Sequence, residues 1–350
     1  MQSHVFFKES TPTIEPVLQG IHRPKWSVMI PTYNRTEYLE QTLHSVLQQA
    51  YSPDEMQIEV IDNCSISDEV QRIVEKVGKN RVSFFKQPYN LGLVGNLNTC
   101  LRRARGHLVH ILHDDDLVLP GFYNHLEKAF EQETAIGAAF CRYAHVDENN
   151  NQRYLSRLQK EAPGIISKWL ERIAVEQQLQ PPAIVVKRSV YERLGGFYPE
   201  LPHCNDWEMW KRIAAFYPVW YEPQTLAYYR EHSNADSRTS FKTGQNLVEL
   251  RKSIEISQSY LPKELIRDFS MKAREKSALW GLLIARRALS RGDIATARNQ
   301  IREALKCCLS LKVLSTLSFL PFMAVAGAFK KQFVQVSMPS MQSHRKESPI

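Results

Sequence analysis

The chain has 350 residues, of which 43% are hydrophobic and 23% charged, and its formal net charge is +8 at pH 7. This composition is typical of a soluble globular protein with a sizeable core and excludes disordered and collagen-like chains. Residues 251–350 contain 18 basic and 7 acidic side chains, so the positive excess lies there, and the first 250 residues have a net charge of −3. We therefore expect no nucleic-acid partner.

The N-terminus and the cysteines indicate a cytoplasmic protein. Residues 1–10 (MQSHVFFKES) lack the basic and apolar regions of a secretory signal. The six cysteines include no Cys-x-x-Cys pair, which favours reduced thiols over a zinc site or a disulfide framework.

Short apolar runs alternate with helical patterns in the first part of the chain. We predict strands at 26–31, 57–62, 82–86 and 107–113, and helices at 37–49, 68–76, 94–104 and 121–131. This order predicts an α/β fold with a Rossmann-like, doubly wound and mostly parallel sheet. Polar clusters follow three of the strands, at the carboxyl ends where such sheets bind ligands.

The last part of the chain is predicted to be helical, with a hairpin over 278–306 that turns at Gly292-Asp293. An uncharged apolar run, Val313–Phe329, follows and is closed by two lysines. It predicts a membrane-associated segment over 312–336 that lies in the interface. A full membrane span and a buried helix are the alternatives. Residues 337–350 are predicted to be a disordered tail.

Two acidic motifs follow predicted strands. Asp114–Asp116 form three adjacent carboxylates within HDDDLVLPG, and a divalent cation such as Mg²⁺ or Mn²⁺ removes their repulsion. The alternative is a solvated acidic turn before a helix. Asp62 can accept hydrogen bonds from a nucleobase or ribose, although Asp-Asn is also common in turns.

Three further motifs complete the candidate site. PTYNR at residues 31–35 precedes a helix whose N-terminus can assist anion binding, while the Walker A and Gly-x-Gly-x-x-Gly patterns are absent. Asp206, beside Trp207 and Trp210, is either a helix N-cap or a general base facing a cleft that holds a sugar ring. Arg230 and His232 are two residues apart on an extended strand, so they share a side where a diphosphate and its metal can bind.

Taken together, these motifs resemble the inverting family 2 glycosyltransferases with a GT-A fold, of the bacterial cell-surface polysaccharide type. The resemblance covers residues 26–232, where six motifs occur in order: PTYNR, IDNCS, NLGLVGNLN, HDDDLVLPG, GGFYPE with NDWEMW, and YYREH. It implies a GT-A domain over 25–240. The residues on either side are predicted to form an N-terminal extension over 1–24 and a helical extension over 241–311.

The resemblance also implies roles for individual residues. Asp206 is the catalytic base, and Asp62 binds the base of the nucleotide. The residues expected to bind the nucleotide sugar are Pro31, Thr32, Tyr33, Asn34, Arg35, Asp62, Asn90, Asn96, Asp114, Asp115 and Arg230. The expected metal ligands are Asp116, Asp114 and His232, and the expected acceptor-side residues are Trp207, Glu208 and Trp210.

The chain departs from the family pattern at two positions. His113 stands where the family often has an acidic residue, which leaves open which aspartate binds the ribose and which binds the metal. Asn205 stands where a Glu commonly precedes the base, a change that alters the neighbour of Asp206 and with it the choice of acceptor.

The sequence thus predicts an inverting, hexosyltransferase-type enzyme that uses Mn²⁺ or Mg²⁺. It would move a sugar from a nucleotide-diphosphate sugar to a hydroxyl of a glycan or lipid-linked glycan, and a UDP-sugar is the favoured donor. By family analogy we expect a role in surface glycan assembly, peripheral at the cytoplasmic face of the inner membrane. The alternatives are a sugar-1-phosphate nucleotidyltransferase, which would usually carry a Gly-rich phosphate loop, and a non-enzymatic membrane-surface or polyanion-binding protein.

Overall fold

The strands and helices predicted for the first part of the chain are present. A computed structural model of the protein describes residues 11–232 and 237–319. As far as Val146 the elements are β1 (Trp26–Thr32), α1 (Leu39–Leu47), β2 (Met56–Asp62), α2 (Glu69–Gly78), β3 (Ser83–Lys86), α3 (Gly92–Arg103), β4 (Leu108–Ile111), β5 (Leu117–Val118), α4 (Phe122–Gln132) and β6 (Ala138–Val146).

The sequence of each element explains its place. β1 is buried along its whole length, in agreement with its mostly apolar sequence WSVMIPT. α2 is amphipathic because Val70, Val74 and Val77 recur at helical spacing and are buried, while its charged side chains are exposed. The next part of the chain contains β7 (Gln152–Leu155), β8 (Gly164–Ile165), α5 (Trp169–Ile173), a 3-10 turn (Pro181–Ala183), β9 (Ile184–Lys187), α6 (Arg188–Leu194), α7 (Asn205–Phe216) and β10 (Val219–Arg230).

The strands of the described residues form one mixed sheet in the order β3-β2-β1-β4-β9-β6-β10-β5, with β7 beside β6 and β8 beside β10. The first four strands in this order are parallel, as predicted. The prediction of a mostly parallel sheet is confirmed, because the longest pairing of the other half, between β6 and β10, is parallel as well. The remaining pairings of that half are antiparallel. There β9 is antiparallel to both of its neighbours, and β5, β7 and β8 also pair antiparallel. Side chains alternate in both kinds of pairing, so the residue pattern of a strand does not reveal its direction.

The parallel half positions the polar motifs. Because β1, β2 and β4 run in the same direction, their carboxyl ends meet at one edge of the sheet. The chain after β2 continues this alignment, since the backbone N–H of Asn63 donates to the carbonyl of Thr32 at 2.9 Å. The loops that follow these three strands therefore lie together at this edge.

Helices follow β10: α8 (Ser237–Thr243), α9 (Gln245–Ser257), α10 (Lys263–Leu289) and α11 (Ile294–Cys307). The chain divides into two compact units, Met1–Ser237 with Glu249–Ala273, and Arg238–Val248 with Arg274–Ile350. Residues 249–273, which we predicted to lie in the helical extension, therefore belong to the first unit.

The predicted helical hairpin is confirmed. α10 ends at Leu289 and α11 begins at Ile294, after Gly292 in the left-handed region with φ +78°. Asp293 caps α11, because its carboxylate accepts the backbone N–H of Thr296 at 3.0 Å.

The predicted membrane-associated segment is only partly described. Residues 311–319 are helical, whereas the rest of the segment to 336, the predicted tail over 337–350 and residues 1–10 lie outside the described residues. Within the described parts of the chain, no helix combines the length and the apolar character that a membrane crossing requires.

Candidate active site

Asp114 lies where β1 and β4 end. It is 4% exposed, and its carboxylate accepts hydrogen bonds from Thr32 Oγ1 at 2.6 Å and from Arg35 Nη1 at 3.1 Å. Thr32 ends β1, and Arg35 belongs to the loop that follows. Asp114 therefore joins the aspartate turn to this loop.

Asp115 is bound by two cationic or potentially cationic groups. Arg35 donates to Asp115 Oδ2, and His232 Nε2 lies 2.9 Å from the same oxygen. Burial disfavours the charged form, but the hydrogen bond from His232 and the charge of Arg35 outweigh it and lower the pKa of Asp115. Asp115 is therefore a carboxylate at neutral pH.

Asp116 is almost fully buried, at 1% exposure. Its Oδ1 accepts the backbone N–H of Arg230 at 3.0 Å, whereas Oδ2 has no hydrogen-bond partner among the described residues. Burial, followed by the negative charge of Asp115, raises the pKa of Asp116 well above its usual value. A buried carboxyl oxygen without a partner is costly, and a bound cation would satisfy it.

The group that could hold a metal ion consists of His113, Asp115 and Asp116, whose ligand atoms lie within 4.8 Å of one another. Its carboxylate oxygens suit Mg²⁺ and Mn²⁺, and the unpartnered oxygen of Asp116 fits such an ion. This group differs from the predicted ligand set at two positions, since it contains Asp115 and His113 in place of Asp114 and His232. The β1 loop binds the carboxylate of Asp114, and His232 contacts Asp115.

Arg230 lies beside the aspartate turn. It is 3% exposed, and its guanidinium lies 4.3 Å from the ring centroid of Tyr38. Its Nε donates to the backbone carbonyl of Asp115 at 2.7 Å, and its Nη2 donates to Gln41 Oε1 at 3.2 Å. Arg230 thus holds the turn in place, and its contact with a diphosphate stays a prediction.

Asp206 lies in the first turn of α7. Cys204 occupies the N-cap position, so Asp206 is not the cap. Its Oδ1 accepts the backbone N–H of Trp207 at 2.7 Å, and its Oδ2 accepts Nε2–H of Gln177 at 2.6 Å. Burial raises the pKa of Asp206 to about 6, although both hydrogen bonds favour the charged form. A carboxylate with a pKa near the working pH suits a general base.

Sequence reasoning missed Gln177, the side-chain partner of Asp206. Gln177 lies in the loop after α5 and also donates to the backbone carbonyl of Leu179 at 3.3 Å. Nothing in the stretch EQQLQ distinguishes it from Gln178 or Gln180. Gln177 reaches Asp206 only because α7 packs beside the loop after α5, and this contact joins residues that are far apart in the sequence.

One small cavity, with a volume of about 20 Å³, is lined by the candidate base and by one member of the candidate metal group. Asp206 and His113 both line it, with Asn205 next to the base. The other lining side chains are mostly apolar: Leu97, Ile111, Pro181, Ile184, Tyr191, Phe197 and Trp210. Apolar walls reduce the local dielectric constant, so charges in this cavity interact more strongly than in water.

The predicted acceptor-side residues are buried in the structure. Glu208 is 0% exposed and pairs with Arg212 at 2.8 Å, and Trp207 is 2% exposed and donates its indole N–H to a backbone carbonyl at 2.7 Å. The reason is that α7 is packed on all sides, with residues 207–213 buried. We therefore withdraw the acceptor-side assignment for Trp207 and Glu208, whereas Trp210 lines the cavity.

The two loops predicted to bind the nucleotide contact each other. Asp62 is 1% exposed and accepts the backbone N–H of Ser65 at 3.1 Å. The backbone N–H of Asn34 donates to Ser65 Oγ at 2.7 Å. Pro31 lies within β1, and Tyr33 is 44% exposed in the first loop. The loops after β1 and β2 therefore form one surface.

The two predicted asparagines lie near these loops in different settings. Asn90 Oδ1 accepts a hydrogen bond from Asn63 Nδ2 at 2.8 Å, beside the second loop. Asn96 is 2% exposed, donates to the carbonyl of Ile61 at 2.9 Å and accepts from Gln87 at 3.3 Å. Asn96 thus connects α3 to β2, and both ends of its amide are used within the protein.

Comparison with known proteins identifies a family and a fold. Residues 27–195 match the family described as glycosyl transferase family 2. The GalNAc(5)-diNAcBac-PP-undecaprenol beta-1,3-glucosyltransferase of Campylobacter jejuni is 35% identical over 145 residues, which are 40% of this chain and 43% of that protein.

Two solved structures share the fold. TarS 1–349 of S. aureus, in complex with UDP-GlcNAc, has a TM-score of 0.63 and 16% identity over 89% of this chain and 92% of its own. Mannosyltransferase PcManGT from Pyrobaculum calidifontis, in complex with GDP-Man and Mn²⁺, has a TM-score of 0.53 and 18% identity. The match covers 93% of this chain and 91% of the PcManGT chain. The sheet, the family match and the glycosyltransferase relative agree: through residues 27–195 the chain belongs to glycosyl transferase family 2, it has a GT-A-like fold, and it is a glycosyltransferase.

Proposed function

We propose that this glycosyltransferase inverts the anomeric centre of its donor sugar and uses Asp206 as the general base. The observation that carries the proposal is the cavity lined by both Asp206 and His113, a member of the candidate metal group. A base with a pKa of about 6 and a cation site on one cavity provide proton removal and leaving-group stabilisation in the same place.

His113, Asp115 and Asp116 would hold the metal ion, with Mn²⁺ or Mg²⁺ as the candidates. When bound, the ion supplies positive charge that stabilises the diphosphate leaving group. Arg35 and His232 support this group by binding Asp115. The PcManGT complex with GDP-Man and Mn²⁺ supports a metal-dependent donor site.

The donor would lie on the surface formed by the loops after β1 and β2. Asp62 holds the second loop through Ser65, Tyr33 offers an exposed ring, and Asn90 lies beside them. We propose that this surface binds the base and ribose of a UDP-sugar. The TarS complex with UDP-GlcNAc supports a uridine donor.

In the reaction, Asp206 accepts the proton of the acceptor hydroxyl as that oxygen forms a bond to the anomeric carbon. The bond from this carbon to the diphosphate oxygen breaks, and its electron pair leaves with the nucleoside diphosphate. Gln177 orients the carboxylate of Asp206 before the proton transfer. A single displacement of this kind inverts the configuration.

We propose a glycan or lipid-linked glycan acceptor in surface glycan assembly, at the cytoplasmic face of the inner membrane. The Campylobacter relative, by its name, acts on an undecaprenol-linked glycan, which supports a lipid-linked acceptor. The positive excess of residues 251–350 and the apolar run at 313–329 support peripheral contact of 312–336 with an anionic membrane surface. The family match sets aside the nucleotidyltransferase and the non-enzymatic alternatives.

The first test measures donor binding and turnover with a panel of nucleotide sugars in Mn²⁺. We expect one of them to raise the melting temperature, because a ligand bound only by the native state stabilises it. Asp206→Asn should keep this rise in melting temperature and lower the rate of transfer by about 10²–10⁴-fold, which is the usual contribution of a general base to the rate. Wild-type-like turnover of Asp206→Asn would remove Asp206 from the mechanism, and the absence of a shift with every nucleotide sugar would contradict the donor assignment.

A further inference from the structure

Three ring side chains form a row across neighbouring strands. The sheet register places Tyr154 of β7 opposite His145 of β6, and His145 opposite Tyr229 of β10. The rings of Tyr154 and His145 are stacked with centroids 4.1 Å apart, and those of His145 and Tyr229 are 5.3 Å apart. Tyr143 lies beside the row, 5.4 Å from His145. We call Tyr154, His145 and Tyr229 the aromatic row.

The inner end of the aromatic row adjoins the candidate active site. Tyr229 directly precedes Arg230, whose backbone N–H donates to Asp116, and His232 just beyond contacts Asp115. The segment that carries Tyr229 is therefore bound to two members of the candidate metal group.

The electrostatic surroundings of Tyr229 agree with this position. Burial, followed by the negative charges of Asp116, Asp115, Asp206 and Glu231, raises the pKa of Tyr229 above its usual value. The candidate base and the candidate metal group thus both lie close enough to act on this hydroxyl. The charge of Asp206 also contributes to the raised pKa of Tyr143.

The outer end of the row opens to solvent beside a carboxylate. Tyr154 is 50% exposed, whereas the inner ring of Tyr229 is half-buried. Glu231 Oε1 lies 2.9 Å from His145 Nδ1 and accepts the hydroxyl of Tyr154 at 2.6 Å. Its other oxygen lies 3.6 Å from Arg153 Nη1. Because the stacked faces of Tyr154 and His145 cover each other, the row offers the exposed part of the Tyr154 ring with the Glu231 carboxylate at its edge.

We propose that the aromatic row is a subsite for the saccharide part of the acceptor, with Tyr229 nearest the reacting hydroxyl and Tyr154 further out. This proposal rests on the proposed function and replaces the acceptor contact first predicted for Trp207 and Glu208. Sugar rings pack their C–H faces on aromatic rings, and their hydroxyls bind carboxylates at the edge. A lipid chain would not match the carboxylate of Glu231, so the row is assigned to the sugar rather than to its carrier.

The test uses saturation-transfer NMR on the full chain with UDP and Mn²⁺. The probes are the methyl β-glycosides of glucose, galactose, mannose and N-acetylglucosamine. We expect the wild type to bind at least one of them, and Tyr154→Ala to bind it at least fivefold more weakly. Tyr154→Phe should bind within twofold of the wild type, because it keeps the ring and loses only the hydroxyl.

Two controls separate stacking from other effects. Trp280→Ala removes an aromatic side chain that is 39% exposed in the second unit and should leave glycoside binding unchanged. The far-ultraviolet circular dichroism spectrum of Tyr154→Ala should match that of the wild type, because Tyr154 is half exposed on a short strand. If Tyr154→Ala does not fold, His145→Ala replaces it in the same comparison.

The outcomes distinguish this inference from the proposed function. If the wild type binds UDP but none of the glycosides, or if Tyr154→Ala binds them as the wild type does, the acceptor subsite is wrong while the donor site stands. If the wild type binds neither UDP nor any nucleotide sugar, the proposed function itself fails. Weaker binding to Tyr154→Ala together with retained binding to Tyr154→Phe supports the inference.

Discussion

Asp206 illustrates the conflict between catalysis and stability at a single residue. Burial raises its pKa to about 6, which suits a base at neutral pH. The same burial makes the charged carboxylate less stable in the folded protein than in the unfolded chain. Above its folded pKa, the ionised Asp206 therefore lowers the free energy of unfolding.

We expect Asp206→Asn to be more stable than the wild type at pH 8 but not at pH 4. The folded pKa lies above the unfolded value, so the stability cost develops as pH rises from about 4 to about 6 and is complete above that range. The neutral amide removes this cost and can still accept the hydrogen bond from Gln177. The gain at pH 8 should be on the order of 1–2 kcal/mol, a rise of several degrees in melting temperature.

Thermal melts of both proteins at the two pH values check this prediction. An equal difference between wild type and Asp206→Asn at pH 4 and pH 8 would show that burial of the charge is not the cause. The same variant serves the turnover test, so stability and activity are compared in one protein.

The residues of the site were predictable to different degrees. The aspartate turn was identified because three adjacent aspartates stand out in the sequence, and Asp206 was assigned through the resemblance of the motif NDWEMW. The settings of Asp114 and Asp115 depend on their contacts with Thr32, Arg35 and His232. Such contacts join distant parts of the chain, so no local sequence pattern indicates them.

Helix α7 connects the candidate base to the core. Its first turn carries Asp206, while its middle holds a fully buried ion pair between Glu208 and Arg212. Arg212 also donates to the backbone carbonyls of Leu194 at 2.6 Å and Gly196 at 2.8 Å. The helix is thereby joined to the end of α6 and to the residues that follow it, and these contacts support the position of the base.

We expect Glu208→Ala to lower the free energy of unfolding by about 3–5 kcal/mol, because it leaves the charge of Arg212 buried without its carboxylate. Glu208→Gln should cost less, since its amide oxygen still accepts a hydrogen bond. The matched control is Asp268→Ala, which removes an exposed pair with Lys272 at the same i,i+4 spacing in α10 and should change stability by about 0.5 kcal/mol or less. Urea denaturation of the three variants tests the ranking, and equal losses for Glu208→Ala and Asp268→Ala would contradict it.

The elements themselves were largely predictable. α2 and the α10–α11 hairpin were recognised because their apolar residues recur at helical spacing and Gly292-Asp293 interrupts the pattern. β9 was not placed, because a four-residue apolar strand carries no signal for its partner or its direction. β9 lies antiparallel between β4 and β6, and this position depends on the path that the chain takes between β8 and β9.

The whole chain combines a slightly acidic first part with a basic last part. Residues 1–250 have a net charge of −3, and residues 251–350 one of +11. The acidic side chains that define the candidate site lie in the first part. The basic excess lies in the same hundred residues as the apolar run at 313–329.

We expect the full chain to sediment with vesicles that contain anionic phospholipid, and deletion of residues 320–350 to abolish this binding. The deletion removes most of the apolar run and retains all the described residues. Each Lys or Arg near an anionic membrane surface contributes about 1 kcal/mol, so 0.5 M salt should weaken binding of the full chain. Vesicles of neutral lipid are the control, and equal sedimentation of the full and shortened chains would show that 320–350 is not the contact.

The sequence by itself determined the family, the order of the first strands and helices, and the acidic motifs at the strand ends. These features depend on local periodicity and on short motifs in a particular order. Only the tertiary structure decided that His113 and Asp115 join Asp116, that Glu208 is buried, and that Gln177 binds Asp206. It also revealed the aromatic row, because Tyr154, His145 and Tyr229 come together only through strand register. Contacts between distant residues depend on packing, which no local pattern of side chains specifies.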